Sequence, residues 1–423
     1  MSDGSPVKQL TAADPLTHRG IPVEPELRVL ALGSFANRFG AGAVLTTSAL
    51  YFTRIVGFSA AEVALALSVA GIVGLLVQVP AGQFADRRGP REVLIWLMAG
   101  AALTAFWPVL AATPLVLTLL LGVQAFFERS ANAVRQGVIA QIATGGRGVL
   151  FKAYLRAVTN SALGLGALFG GLALTIDETW AYVGVFALNT VFTGIAALVT
   201  SRLPHLPAHP RAAGEPRLAV ARDLPYLVVV VLTGIFALHF VVMDLGIALY
   251  ISEHTDAPTW MVATLLVMNT AVVALFQVRF SRRSDTVVSG AKALVVGGAF
   301  IAGGFVVVSF ADSASVSVAV ALLVTGSLVH VVGEMIGSGG QWSLQMGLAP
   351  HEKQGQYQGF AGLSWGIVEI GGPPLVAFFC VDQGREGWWA LAAIIMATSL
   401  VSVPVAKWAL ASRARYGVTT HSG

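Results

Sequence analysis

Glu128 and Glu334 each sit inside a long apolar stretch, with Gln124 and His330 four residues upstream, so each polar pair shares one face of a helix; Asn132 and Arg135 extend the first face. Apolar surroundings disfavour the charged form of a carboxylate unless a cation stands close, so a change of exposure or partner loads or releases a proton. The chemistry on offer is proton or cation carriage. The same spacing also suits a permanent ion pair of Glu128 with Arg129 or Arg135 that locks helices together. Arg38 keeps its proton and therefore needs a carboxylate, an anionic substrate group or water, with Glu128 and Asp244 as candidate partners. His239 titrates near neutral pH and can relay protons, or it is a hydrogen-bonded core residue; Asp244, five residues on, either joins that group or is solvated near the helix end. Phe35, Asn37, Gln124, Phe127 and Trp365 are the candidates for shaping a substrate site.

The elements that position these groups must be membrane helices. Only 11% of the residues are charged and 56% are apolar, against about 25% charged in soluble domains. Apolar runs of about 20 residues suit helices crossing a hydrocarbon core, and the alternation of barrel strands is absent. Twelve spans are expected, starting near residues 27, 60, 91, 114, 152, 179, 224, 257, 290, 314, 356 and 386. Sliding the chain so that Glu128 falls on Glu334 also lays Gln124 on His330, Arg147 on Lys353 and Gly166-Ala167 on Gly372-Pro373; a nearby register lays Gly33–Phe39 on Gly234–Phe240. The chain therefore reads as an N-terminal tail (1–26), a six-helix bundle (27–201), a linker (202–223), a second six-helix bundle (224–411) and a C-terminal tail (412–423). Duplication of this kind places a substrate site between the repeats at mid-depth, where the two carboxylates are expected to meet in a wet chamber.

Most of the 26 Lys and Arg fall on the tails and on the loops after even-numbered spans, including Arg147 and Lys152, Arg202, Arg211, Arg217 and Arg222, Arg282 and Arg283, and Arg413 and Arg415. Arg54 and Arg385 stand opposite, and Arg38, Arg129 and Arg135 fall within spans. Both termini are thus expected in the cytoplasm of a multi-pass protein of the cell inner (plasma) membrane. The basic pI follows from this topology, so nucleic acid is not an expected partner; a small molecule, protons and the lipid bilayer are, and the protein is expected to be monomeric. No removable signal peptide is evident ahead of the first span. The lone Cys380 excludes an intramolecular disulfide, and the eight histidines show no metal-ligand spacing, so neither metal nor cofactor is expected. Gly166-x-x-x-Gly170 and Gly362-x-x-x-Gly366 suit close helix packing, and Pro373-Pro374 predicts a bend.

The loop after the second span reads Gly82-Gln-Phe-Ala-Asp86-Arg87-Arg88-Gly89-Pro90-Arg91. In this it resembles the major facilitator superfamily, whose loop between the second and third helices carries Gly-x-x-x-Asp-Arg-x-Gly-Arg-Arg; Gly82, Asp86, Arg87, Gly89 and Arg91 match. The resemblance implies an all-α integral membrane fold of two pseudo-symmetric six-helix bundles. It also implies a cavity lined by the first, fourth, seventh and tenth helices, and a cytoplasmic gate in which Asp86, near a helix N-terminus, and the arginines form a latch. Ser281-Arg282-Arg283-Ser284-Asp285 echoes the motif poorly in the second half. Gly166-Ala-Leu-Phe-Gly170-Gly171 is similar to the fifth-helix pattern of bacterial drug/proton antiporters without its proline.

Enzyme signatures do not survive their context. Gly362-x-Ser364-x-Gly366 spells a nucleophile elbow inside an apolar span, with no strand before it, and no Walker loop occurs. The expected function is proton-coupled secondary transport by rocking of the halves, exporting a small amphipathic compound. The alternatives are a proton symporter importing an anionic nutrient or peptide, anchored by Arg38, and a non-transporting receptor or scaffold.

Overall fold

In the computed structural model, twelve helices among the described residues are long and apolar enough to cross a membrane: α1 Pro25–Ile55, α2 Ala60–Arg88, α3 Pro90–Leu110, α4 Pro114–Ile142, α5 Gly146–Ile176, α6 Thr179–Thr200, α7 Leu224–His254, α8 Met261–Ser281, α9 Val287–Ser313, α10 Val316–Gly347, α11 His351–Asp382 and α12 Gly384–Ala411. The structure describes residues 16–143, 145–209 and 218–416; Arg211, Arg217 and most of both tails lie outside them. A helix closes its own backbone hydrogen bonds, which is the condition for crossing hydrocarbon. Local signals set the helix starts. Ser59 and Glu62 form a capping box at α2, Thr113 caps α4, Asp223 caps α7, and prolines occupy the first turns of α1, α3 and α4. Large apolar side chains such as Leu45, Leu76, Trp96, Leu198 and Leu275 face outward, as a lipid environment requires.

Within the first half α1 packs on α5, where a Cβ on Gly166 or Gly170 would strike the α1 backbone. Between the halves, α2 and α4 pack on α11, and α5 packs on α8 and α10. A Cβ on Gly82, Gly137 or Gly359 would likewise collide with backbone of the opposite half, so the halves touch main chain to main chain at the end carrying the α2–α3 and α10–α11 loops.

Several expectations change. Helix α5 begins at Gly146 rather than near residue 152, which moves Lys152 from a loop into the bundle. Helix α11 continues through Pro373 and Pro374 and then widens into a π turn over Phe378–Asp382. Residues 17–22 form a small hairpin rather than a free tail, with Tyr154 donating to Gly20 O at 3.0 Å and Arg147 paired to Glu24 at 2.6 Å. At the other end of the linker, the buried Asp223 accepts from Arg413 at 2.7 and 2.8 Å and from Tyr357 Oη at 2.9 Å. Arg413, which also donates to the Leu348 and Ala409 carbonyls, thus holds the ends of α7, α10 and α12 together, beyond any part it plays in a basic tail.

Candidate functional site

A cavity of about 330 Å³ lies between the halves. Arg38 of α1, Arg129 of α4, Lys152 of α5 and Gln78 of α2 face Trp342 of α10 and Trp365 of α11 across it. Six helices, α1, α2, α4, α5, α10 and α11, supply its walls. Helix α7 supplies none, contrary to the expectation from the family pattern. Lys152 is buried and donates to Gln358 Oε1 at 3.1 Å across the halves. These two positions are 206 residues apart, the same offset as Glu128 and Glu334, so the internal repeat lays one on the other. Repeat-equivalent residues touch only near the pseudo-twofold axis, and the pair therefore marks it.

Neither Glu128 nor Glu334 lines this cavity, so the expected meeting of two carboxylates in one wet chamber does not occur. Glu334 is buried one layer behind the wall, through a chain of contacts. Trp365 packs on Phe240 with ring centroids 4.9 Å apart, the Arg156 guanidinium lies 4.9 Å over the Phe240 ring, and Arg156 pairs directly with Glu334 Oε1. Arg156 also donates to Ser338. Glu334 Oε2 accepts from Asn269 at 2.9 Å and faces His330 Nδ1 at 3.8 Å. His330 Nε2 and His239 Nδ1 are 3.0 Å apart, and both rings are fully buried. If His239 Nδ1 donates to His330 Nε2, His330 carries its hydrogen on Nδ1, the nitrogen that faces Glu334 beyond hydrogen-bond distance. Asp244 is exposed in a π turn of α7 and within electrostatic range of Glu334 and Arg156.

The first-half counterpart is organised differently. Glu128 makes no ion pair or hydrogen bond among the described residues; it acts on Arg135 only at longer range, and Arg135 donates to Asn132 Oδ1 at 3.0 Å. Arg129 does not pair with Glu128, because it reaches across the cavity to Glu369 at 3.6 Å. Arg38 stands near Arg135, a like charge, and has no hydrogen bond among the described residues.

Of the aromatic candidates, Trp365 lines the cavity. Phe127 does not: its ring fills the space over Gly100 of α3, inside its own half. Phe35 stacks beside Phe39, whose ring packs on Phe169 and Phe192 of α5 and α6; Asn37 is buried on α1, and Gln124 is half-buried on α4.

At the α2–α3 end, Asp86 is buried and accepts from the backbone N–H groups of Gly355 and Gln356 at 2.9 and 2.8 Å, so it caps the first turn of α11 from the opposite half. Gly82 sits one turn before it against Gly355. Gly89 turns the chain with φ of 106°, a conformation that glycine adopts readily. Arg87 lies beside Asp86. Arg91 does not cross the halves, since it donates to the Ser201 and Leu203 carbonyls at 2.6 and 2.5 Å and so fastens α3 to the end of α6. Ser281 and Ser284 of the poor second-half echo pack on Gly339 within their own half.

Sequence reasoning missed Arg156, Glu369 and the role of Lys152. Lys152 was readable only as a loop charge because the apolar window begins late in α5, while Arg156 and Glu369 lie inside expected spans, and Glu369 has no polar neighbour at helical spacing to single it out. The spacing of the histidines also hid that His239, His330 and Glu334 bring three metal-capable donor atoms within 4.8 Å. The Arg156 guanidinium on the carboxylate already supplies the positive charge a divalent cation would bring, so the set fits an ion pair beside a hydrogen-bonded histidine pair better than a metal centre.

A family model described as the Major Facilitator Superfamily matches residues 30–373. None of the curated proteins compared matches the chain. Among solved structures, a bacterial homologue of the iron transporter ferroportin in an outward-facing state superposes with a TM-score of 0.72 at 15% identity, covering 92% of this chain and 100% of that one. The human organic anion transporter MFSD10 (TETRAN) gives 0.68 at 12% identity, covering 89% and 99%. The proton:xylose symporter XylE bound to 6-bromo-6-deoxy-D-glucose gives 0.65 at 12%, covering 89% and 94%. At these identities the likeness concerns the fold. With the family model spanning most of the chain, twelve spanning helices and two packed halves, the protein belongs to the major facilitator superfamily and is a multi-pass membrane transporter.

Proposed function

We propose that the protein is a proton-coupled secondary transporter that exposes the central cavity alternately to the two sides of the membrane, with Glu334 as the proton site. The observation that carries this reading is the ion pair between Glu334 of one half and Arg156 of the other, both largely shielded from solvent. Removing the carboxylate charge by protonation leaves Arg156 facing an uncharged acid, and the attraction joining α5 to α10 is lost. The deprotonated form therefore favours the conformation described here, and protonation favours separation of the halves at the α2–α3 end. The other groups facing Glu334 are His330 on its own helix, His239 and Asp244 on α7, and Asn269 on α8. Asp86, capping α11 from α2, is the second tie that opening must break. The end bearing Arg87, Arg88, Arg282 and Arg283 is assigned to the cytoplasm of the inner membrane on charge. Export is the proposed direction, supported by the fifth-helix glycine pattern.

Spin labels at Ala61 and Glu253, on opposite halves at the other end, report the conformation without a substrate; Cys380 is first replaced by serine. Acidification is expected to add a shorter distance to the pulsed electron resonance distribution, and Glu334→Gln to give one distribution at all pH values. A wild-type distribution indifferent to pH, or a Glu334→Gln protein that still responds, would remove Glu334 from coupling. Once a substrate is in hand, an inward proton gradient in proteoliposomes should drive it outward; inward movement would show symport.

A further inference from the structure

The cavity wall carries three cations, Arg38, Arg129 and Lys152, and one carboxylate, Glu369. Arg135 adds a fourth positive charge close behind Arg38, with Glu128 acting on it from a distance. Their use is incomplete. Glu369 engages Arg129 at 3.6 Å, a separation that leaves the pair loosely joined and half-exposed. Lys152 has three donors, of which Gln358 takes one at 3.1 Å. Arg38 lines the cavity and, with five donors to place, has no hydrogen-bond partner among the described residues. Like charges lining one cavity repel, and an anion placed among them relieves that repulsion. The apolar surfaces available are flat: Trp342 and Trp365 face the cations from the second half.

The geometry points to a compact organic anion as the substrate class, a carboxylate or phosphate group on a flat apolar body. Its anionic group sits among Arg38, Lys152 and Arg129, and its body lies against Trp342 and Trp365. A guanidinium and an ammonium lining one cavity suit an oxyanion, through charge-assisted hydrogen bonds that a neutral or cationic group cannot form. The volume of about 330 Å³ falls at the small end of ligand cavities and admits a single-ring compound. The two halves hold different parts of such a ligand, so binding depends on their approach. This substrate class rests on the transport reading above, and it names what the cavity takes.

The test is isothermal titration of the purified full chain, without any gradient, against a charge series on one ring: phenylacetate, phenyl phosphate, the neutral phenylacetamide and the cationic phenethylamine. Parallel samples are held in zwitterionic lipid with and without phosphatidylglycerol, which separates a soluble anion from a lipid headgroup. Phenylacetate or phenyl phosphate is expected to bind at least about tenfold more tightly than the amide or amine. Arg38→Gln and Lys152→Met should each weaken that binding by about tenfold, Arg38→Lys should restore part of it, and Arg282→Gln, an exposed loop control, should leave it unchanged. Should Arg38→Gln fail to fold, Lys152→Met and Arg129→Gln carry the same comparison. The amide or amine binding as well as the anions overturns the inference. So does the absence of binding by both anions at millimolar concentration, or competition by phosphatidylglycerol that abolishes it. Because no gradient is applied, a specific anion in a protein whose spin labels ignore pH would keep this inference and remove proton coupling; a pH response without anion selectivity would do the reverse.

Discussion

Glu128 and Glu334 occupy repeat-equivalent places, yet their surroundings differ in kind. Glu334 is buried, pairs with Arg156 from the opposite half, accepts from Asn269 and stands beside a pair of buried imidazoles. Glu128 is half-buried and makes no hydrogen bond or ion pair among the described residues, and Arg129 beside it has turned to Glu369. Duplication copied the carboxylate but not its partner. A charge that ties one half to the other responds to relative motion of the halves, whereas one that acts only on its own helix has no such lever. The two halves have accordingly divided the work, the second holding a buried acid and the first supplying cations to the cavity.

The comparison breaks most directly at the carboxylates themselves. Glu334→Ala leaves Arg156 shielded and unpaired and should cost about 3–5 kcal/mol of stability, whereas Glu128→Ala should cost under about 1 kcal/mol; thermal unfolding in detergent measures both. Equal losses would erase the distinction. A smaller effect is expected at the helix contact that lets Glu334 and Arg156 meet. Gly82→Ala places a methyl against the Gly355 carbonyl, and relieving it by separating α2 from α11 costs about 1–3 kcal/mol. A cysteine at Val79, buried on α2 against Gly359, should then react faster with a membrane-impermeant thiol reagent added from the α2–α3 end, and an unchanged rate would show that this contact does not set closure. Next, Arg91→Gln removes two bonds to carbonyls within one half and should cost about 1–2 kcal/mol of unfolding free energy while leaving the Ala61–Glu253 label distance unaltered. Asp86→Asn should move that distance, and a shift of equal size in both would mean that Arg91 shares the gate. The smallest effect is the half-exposed Arg129–Glu369 pair, for which a double-mutant cycle on unfolding free energy should return about 0.2–1 kcal/mol. A coupling as large as that of Arg156 with Glu334 would place a second switch in the cavity.

Much of this molecule was legible residue by residue. Apolar runs revealed twelve spans because lipid demands them, and the Gly82–Arg91 motif pointed to a family that the model match then showed. Glu334, His330 and His239 were found as polar residues in apolar helices, where their cost makes them conspicuous. Lys152 reads as a loop residue because a cation at the start of an apolar window looks like a loop charge, and Arg156, one turn further on, was not singled out. One more turn of helix places Lys152 in the bundle. Phe127 shows the opposite failure: an aromatic beside a polar stripe reads as cavity lining, but the absence of a side chain on Gly100 gives its ring a home inside the half. Arg91 fitted the motif, and only the position of the α6 carbonyls revealed which half it holds.

The order of residues alone determined that the chain crosses a membrane many times, that it is built from two related bundles, and which rare polar groups those bundles must accommodate; each of these is a local cost of hydrocarbon, paid helix by helix. Tertiary structure decided which polar groups meet. Glu334 finding Arg156, Arg129 finding Glu369 and Lys152 finding Gln358 depend on helices far apart in the chain being pressed together by glycine contacts. An ion pair falls off with distance over a few ångströms, and no periodicity along a single helix encodes the distance to another.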